Sequence, residues 1–351
     1  MLIVDTSLSL EYREEIGLEG RNSTVNKAFD PQLNAELVVK RINKSEFTKT
    51  EDYFKEAQML YASEHPNIMG IKYATQDTDY IYLTMDYYKN GSINSLLEKR
   101  FLTVKEIIKY SLEFLSGIHF MHTKNLVHFD IKPTNILISN SNKAVVTDFG
   151  LAKYLNESGF AQPDKFYPLH VPPETFETGK FSFYTDIYQA GLTIYRMCNG
   201  NTNFKQQLRD LNIQNQEQLA EAIRKNKFPQ KSNFLPHIPD KFQQIIKKSL
   251  MNDVTKRYET ILDMINEISS IEDVYNWEYT EGENDHFKFT EENENHKLEL
   301  SLIQVDDKWE TIGVRIRSSD NKTTRVTKWC TSGYNNKEEA FMEIKKMLKY
   351  K

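Results

Sequence analysis

Apolar and polar residues alternate over residues 12–43, and from about residue 103 the apolar spacing changes to threes and fours. The alternation over residues 12–43 predicts strands around a turn, EYREEIGLEGRNSTVNKAFD and then NAELVVKRI, with Lys40 closing the run AELVVK. FTKTEDYFKEAQMLYASEHPNIM predicts a helix with Phe54, Ala57, Leu60 and Tyr61 inward and Glu56 beside that stripe. YIYLTMDYY (80–88) predicts a buried strand, and Asn90-Gly91 predicts a turn leading into a helix. Residues 103–124 carry Ile107, Tyr110, Phe114, Leu115, Ile118 and Met121 at helical spacing, which predicts a long buried helix. Residues 151–174 have no periodicity and many turn formers, so a loop is expected. Another apolar helix is expected over 184–200, with Asp186 near its start, and a last one in KRYETILDMINEI, with Arg257 at its beginning.

A second unit begins where composition changes, near residue 276. EGENDHFKFTEENENHK (281–297) is acidic and polar and reads as a linker with one short strand. KLELSLIQV, TIGVRIR and TRVTKWC predict three strands, with Ile312, Val314 and Ile316 turned inward. NNKEEAFMEIKKMLKYK predicts a helix capped from Asn335, with Glu338 three residues on and Phe341, Ile344 and Leu348 as its stripe. The expected organisation is an N-terminal extension (1–11), a large folded unit (12–272), an acidic linker (273–296) and a small α+β domain (297–351).

Composition narrows the class. The 351 residues are 39% hydrophobic and 27% charged, with 20 Phe and 19 Tyr, which is enough for packed cores. A net charge of -5 argues against coating nucleic acid through bulk positive charge. The two cysteines, Cys198 and Cys330, are far apart and outside any metal-ligand spacing. No apolar run approaches the ~20 residues that span a bilayer, and the N-terminus shows no basic leader. A cytoplasmic protein without membrane association is expected.

The densest chemistry lies in HFDIKPTNILISNSNKAVVTDFG (128–150), which brings together His128, Asp130, Lys132, Asn135, Asp148, Phe149 and Gly150. Two carboxylates and an amide on short neighbouring elements suit a magnesium–nucleotide site, because oxygen donors match a hard cation. Gly17 and Gly20 bracket a turn whose backbone amides could approach phosphate oxygens.

The pattern H-x-D-x-K-x-x-N followed by D-F-G resembles the catalytic and magnesium-binding loops of the eukaryotic-type serine/threonine protein kinases. The resemblance covers residues 10–272 and its landmarks occur in the family's order. It implies a bilobal α+β fold, with a small β-rich N-lobe (12–88) and a larger helical C-lobe (89–272). It also implies ATP and Mg²⁺, with Mn²⁺ as a substitute, and a protein substrate. By that resemblance Asp130 orients the acceptor hydroxyl and Lys132 neutralises the transferred phosphate. Lys40, paired with Glu56, holds the α- and β-phosphates, and Asn135 and Asp148 hold metal. Gly17, Gly20, Val25, Leu137 and the backbone of Asp86 and Tyr88 contact the nucleotide, Met85 guards the pocket behind it, Asp186 braces the catalytic loop, and Glu174 pairs with Arg257.

Three departures stand out. Ser23 lies near the third glycine of the phosphate loop. Phe129 replaces the arginine that reads an activation-loop phosphate in many kinases, so activity without that phosphate is expected. Tyr167 falls where serine/threonine kinases place a threonine near the aspartate and lysine. The alternatives are a weakly active or inactive kinase fold serving as an interaction module, and a kinase of a non-protein substrate. In the C-terminal unit, Arg315, Arg317, Arg325 and Trp329 are expected on one sheet face, as a protein-docking surface or a nucleic-acid platform.

Overall fold

The computed structural model describes residues 8–16, 23–47, 49–163, 165–272, 274–283 and 285–349. Gly17 and Gly20 lie outside the described residues. The first layer is an antiparallel five-stranded sheet built from β1 (Glu11–Glu15), β2 (Ser23–Asp30), β3 (Ala35–Asn43), β4 (Ile71–Gln76) and β5 (Tyr80–Asp86), in the order β1-β2-β3-β5-β4. The β2–β3 turn is set by Asp30, whose Oδ1 accepts from the backbone N–H of Gln32 and Leu33 at 2.8 and 2.9 Å. That turn fixes a register in which Val25 faces Lys40, and Lys40 in turn faces Leu83 on β5.

Helix α1 (Lys55–Ala62) covers this sheet by packing Ala57 against Ile42, Ile81 and Leu83. Only part of the expected stripe is inward. Tyr61 is 79% exposed, because Ala57 faces the sheet and Leu60 the larger core, which leaves the next position on the outer side of the helix.

The larger body is helical. Helix α2 (Ile93–Leu97) leads to α3 (Val104–Thr123), which starts from a reciprocal Thr103/Glu106 capping box. Short strands β6 (Leu126–Val127), β7 (Ile136–Ile138), β8 (Ala144–Val146) and β9 (Lys153–Tyr154) frame the chemistry-rich stretch, pairing β6 with β9 and β7 with β8. Helix α4 (Pro173–Thr178) is followed by α5 (Phe183–Asp210), the buried axis of the body. Gly200 interrupts α5 at φ 76°, and a Cβ there would lie 2.7 Å from the Phe101 ring. Helices α6 (Gln216–Arg224), α7 (Asp240–Ser249) and α8 (Ile261–Ser269) complete this part. Arg257 precedes α8, sitting after a single 3₁₀ turn rather than within the helix.

The second sheet contains β10 (Glu278–Glu281), β11 (Phe287–Glu292), β12 (His296–Val305), β13 (Lys308–Arg317) and β14 (Thr323–Arg325) in sequence order, with β15 (Thr331–Tyr334) also on β13. Helix α9 (Lys337–Met347) packs Phe341 against Phe287 and Phe289.

Four expectations change here. The stretch read as an acidic linker supplies two strands, because Tyr279, Phe287 and Phe289 alternate inward between the acids. The inward face of β13 is Trp309, Thr311 and Gly313, while Ile312 is 38% exposed on the other side. Trp329 is buried against Trp277 and lies over Gly313, so the basic and aromatic platform does not form. The cap of α9 is Asn336, one residue later than expected.

The second sheet shares its core with the helical body. Tyr279 packs edge-on to Phe101 and stacks on His237, and the Val104 N–H at the start of α3 donates to the Trp277 carbonyl at 3.4 Å. Lys345 and Lys349 of the C-terminal end both pair with Asp240 at the start of α7. No helix among the described residues is long and apolar enough to cross a membrane.

Candidate active site

Three elements meet at the cleft between the first sheet and the helical body. β3 projects Lys40, α1 projects Glu56, and the turn after β8 projects Asp148. The Lys40 ammonium donates to Glu56 Oε1 and to Asp148 Oδ1, both at 2.8 Å. Burial alone would push the lysine pKa down, but the two carboxylates outweigh it and raise it. The same ammonium pulls the Asp148 pKa below the usual carboxylate range. Asp148 holds a left-handed φ of 64°. Gly150 keeps its oxygen accessible, since a Cβ there would lie 3.3 Å from Asp148 Oδ1 and 3.6 Å from Lys40 Nζ.

On the floor of the cleft, Asp130 is 5% exposed. Its Oδ2 accepts from Lys132 Nζ at 2.9 Å and from the Asn135 amide at 2.8 Å, while its Oδ1 is buried with no partner among the described residues. Burial raises its pKa against the opposing effect of Lys132, leaving a more basic carboxylate than an exposed aspartate. The Asn135 amide also donates to the Asp130 carbonyl at 2.9 Å, and the Asn135 carbonyl accepts from Thr147 N–H at 2.9 Å. Thus the loop after β6 and the turn after β8 are stitched together directly beside Asp148.

The scaffold beneath is polar and fully engaged. Asp186, buried on α5, accepts from the backbone N–H of His128 and of Phe129 at 2.9 Å each and pairs with His122 at 2.8 Å. Gln189, one turn on, accepts from Ile131 N–H and donates to the Phe129 carbonyl. His128 bonds the Thr147 carbonyl and meets the Phe149 ring edge-on at 5.4 Å. Phe129 is buried at φ 64°, packed with Val127 and Phe181 beneath the segment that follows β9. That segment is tied down by backbone bonds between Ala161 and Phe181. At its far end Glu174 grips Arg257 bidentately at 2.7 and 2.6 Å.

Of the sequence-derived candidates, the structure therefore brings together Lys40, Glu56, Asp130, Lys132, Asn135 and Asp148. Val38, Met85, Tyr88 and Leu137 form one apolar group with Met69 and Val145 at the back of the cleft. Val25 lies opposite Lys40 on β2. The Asp86 side chain points away to Lys72, and the Tyr88 carbonyl accepts from Gly91 N–H at the turn into α2. Sequence reasoning missed Gln189, Val38, His170 and Arg196. Val38, two before Lys40 in the alternating strand, was the one with a readable signal. The Lys132 ammonium also lies 4.7 Å over the Tyr167 ring.

The donor set fits a divalent cation: the half-exposed Asp148 carboxylate and the Asn135 side-chain amide each offer an oxygen donor. Asp130 Oδ1 is a buried acceptor with no hydrogen-bond partner among the described residues.

Compared with known protein families, residues 10–268 match the protein kinase domain. A Clostridium acetobutylicum protein named "Probable serine/threonine-protein kinase" is 28% identical over 282 residues, 78% of this chain and 42% of that one. "Probable serine/threonine-protein kinase PknB" of Lactococcus lactis is 24% identical over 266 residues, 73% and 41% of the two chains. "Serine/threonine-protein kinase ULK3" of Xenopus laevis is 27% identical over 244 residues, 67% and 50%. The chain spans half or less of the length of these relatives.

Proposed function

The chain belongs to the protein kinase domain family, and on that premise we propose that it transfers the γ-phosphate of ATP to serine or threonine hydroxyls of proteins. The observation that carries this reading is the joined cluster of Lys40, Glu56, Asp148, Asp130, Lys132 and Asn135, in which one buried carboxylate oxygen of Asp130 has no partner among the described residues. Asp130 accepts the acceptor hydroxyl's proton in a hydrogen bond and holds its oxygen in line with the phosphorus. Lys132, bound to that carboxylate, neutralises charge gathering on the transferred group. Lys40, oriented by Glu56, anchors the two inner phosphates. Asn135 and Asp148 would hold Mg²⁺, which when bound offsets phosphate charge. The apolar slot around Val38, Met85 and Leu137 takes the adenine ring. Lys132, two residues after Asp130, supports serine/threonine over tyrosine acceptors by resemblance to the family.

The segment after β9 supports activity without phosphorylation, because apolar packing on Phe129 supplies the anchorage that a phosphate–arginine pair supplies elsewhere. A second reading, transfer to a non-protein acceptor, is favoured by one observation: the Tyr167 ring over Lys132, where the family has a small hydroxyl residue. The nucleic-acid platform in the second sheet is withdrawn with the burial of Trp329.

The test is incubation of the whole chain with labelled ATP, magnesium and a mixed protein acceptor. Asp130→Asn is expected to slow transfer by about 10²–10⁴-fold while nucleotide binding persists. Transfer at the wild-type rate by Asp130→Asn, or none by the wild type, sinks the reading.

A further inference from the structure

His170 ends a 3₁₀ turn (Pro168–His170) just before α4, on the segment that leads away from the catalytic loop. It is fully buried, yet both ring nitrogens are occupied. Nδ1 lies 2.9 Å from the Ile131 carbonyl, the peptide between Asp130 and Lys132. Nε2 lies 3.1 Å from Arg196 Nη1 on α5. A guanidinium only donates and a carbonyl only accepts, so the ring has one consistent state. It is neutral, protonated at Nδ1, donating to Ile131 and accepting from Arg196. Burial, with Arg196 adding to it, holds its pKa well below the ordinary histidine value.

The arrangement reaches the chemistry from two directions. The Ile131 carbonyl, which also receives the Thr193 hydroxyl at 3.3 Å, sets the peptide that separates Asp130 from Lys132. On its other side the His170 ring packs 5.6 Å from the Tyr167 ring, and Tyr167 in turn lies under the Lys132 ammonium. One imidazole thus touches both the backbone that carries the two charged groups and the aromatic ring that supports one of them.

We propose that His170 is a positioning residue, coupling the segment at 166–170 to the catalytic loop through its Nδ1–H···O=C bond to Ile131, with Arg196 fixing the tautomer. The coupling makes the order of the acceptor-side segment and the geometry of Asp130 and Lys132 a single property. It rests on the kinase reading only for its effect on rate; the mechanical link is independent of it.

The test compares His170→Phe with His170→Asn in the full chain. Phenylalanine keeps the ring volume and the packing on Tyr167 but loses the donor, whereas the asparagine amide can restore a donor to Ile131. With ATP, magnesium and dephosphorylated casein, His170→Phe is expected to lower kcat about tenfold or more at unchanged KM for ATP. His170→Asn should recover to within about threefold of wild type, the scale of one neutral hydrogen bond. Amide hydrogen exchange across residues 128–135 gives a readout without catalysis: faster in His170→Phe, near wild type in His170→Asn. Unchanged exchange in His170→Phe overturns the coupling whatever the activity, and so does equal loss of kcat and equal exchange in both variants. If wild type transfers no phosphate while exchange behaves as expected, the coupling stands and the kinase reading fails.

Discussion

Phe129 occupies a left-handed backbone conformation that a bulky residue adopts at a cost of order 1–3 kcal/mol. Asp186 from one side and Gln189 from the other hold its N–H and carbonyl, and its ring is sealed beneath the segment that follows β9. Phe129→Ala is therefore expected to lower unfolding free energy by about 3–5 kcal/mol in a urea titration. A loss below about 1 kcal/mol would mean that the ring is not an anchor. Because the anchor is apolar, joint replacement of Tyr154 and Tyr167 by Phe and of Ser158 by Ala should leave phosphate transfer within about twofold; abolished transfer would show dependence on a modified hydroxyl. The residues of this site were readable where spacing carries meaning, as in Asp130, Lys132, Asn135 and Asp148. Gln189, His170 and Arg196 were not, since the first two bond peptide groups remote in the chain and Arg196 acts through His170. No side-chain pattern marks such partners.

Elements lock together where a side chain is missing. Gly117 in α3 lets the loop before β4 come close: a Cβ there would stand 2.6 Å from the Asn67 carbonyl oxygen. That oxygen accepts Val146 N–H at 2.9 Å, two residues before Asp148, and the Asn67 amide bonds the Ala144 carbonyl at 2.9 Å. Helix propensity favours alanine by about 1 kcal/mol, but overpacking against backbone costs about 1–3 kcal/mol and should win. Gly117→Ala should thus melt several degrees lower in calorimetry; a higher melting point would show that the loop yields easily. The elements of the first two layers were legible because their apolar periods are unbroken. β13 was not, because Gly313 has no side chain to read and Thr311 is polar, while Ile312, Val314 and Ile316 imitate a buried stripe on the outer face. Trp329 fills the space over Gly313, a contact that only the folded sheet creates.

At the scale of the whole molecule, the second sheet and the helical body share one buried core and are expected to unfold in one transition. His237 reports on that junction: both ring nitrogens are buried, with no hydrogen-bond partner among the described residues, between the body and the rings of Tyr279 and Phe289. Burial lowers its pKa to about 3. The unfolded chain, with a histidine near 6.5, binds the proton more readily, so stability is complete above that value and is lost as pH falls toward 3. At pH 5 the expected loss is about 2 kcal/mol. His237→Phe should flatten this limb of the stability–pH curve, and an unchanged slope would assign the acid sensitivity to other groups. The other junction, between the two lobes, is held by Lys40 with an asymmetry in its partners. Glu56 rides on the same lobe as the lysine, whereas Asp148 belongs to the opposite one. A rigid rotation that widens the cleft would lengthen the Lys40–Asp148 pair while leaving the Lys40–Glu56 pair within its own lobe, so the Asp148 contact is the one that registers the angle between the lobes.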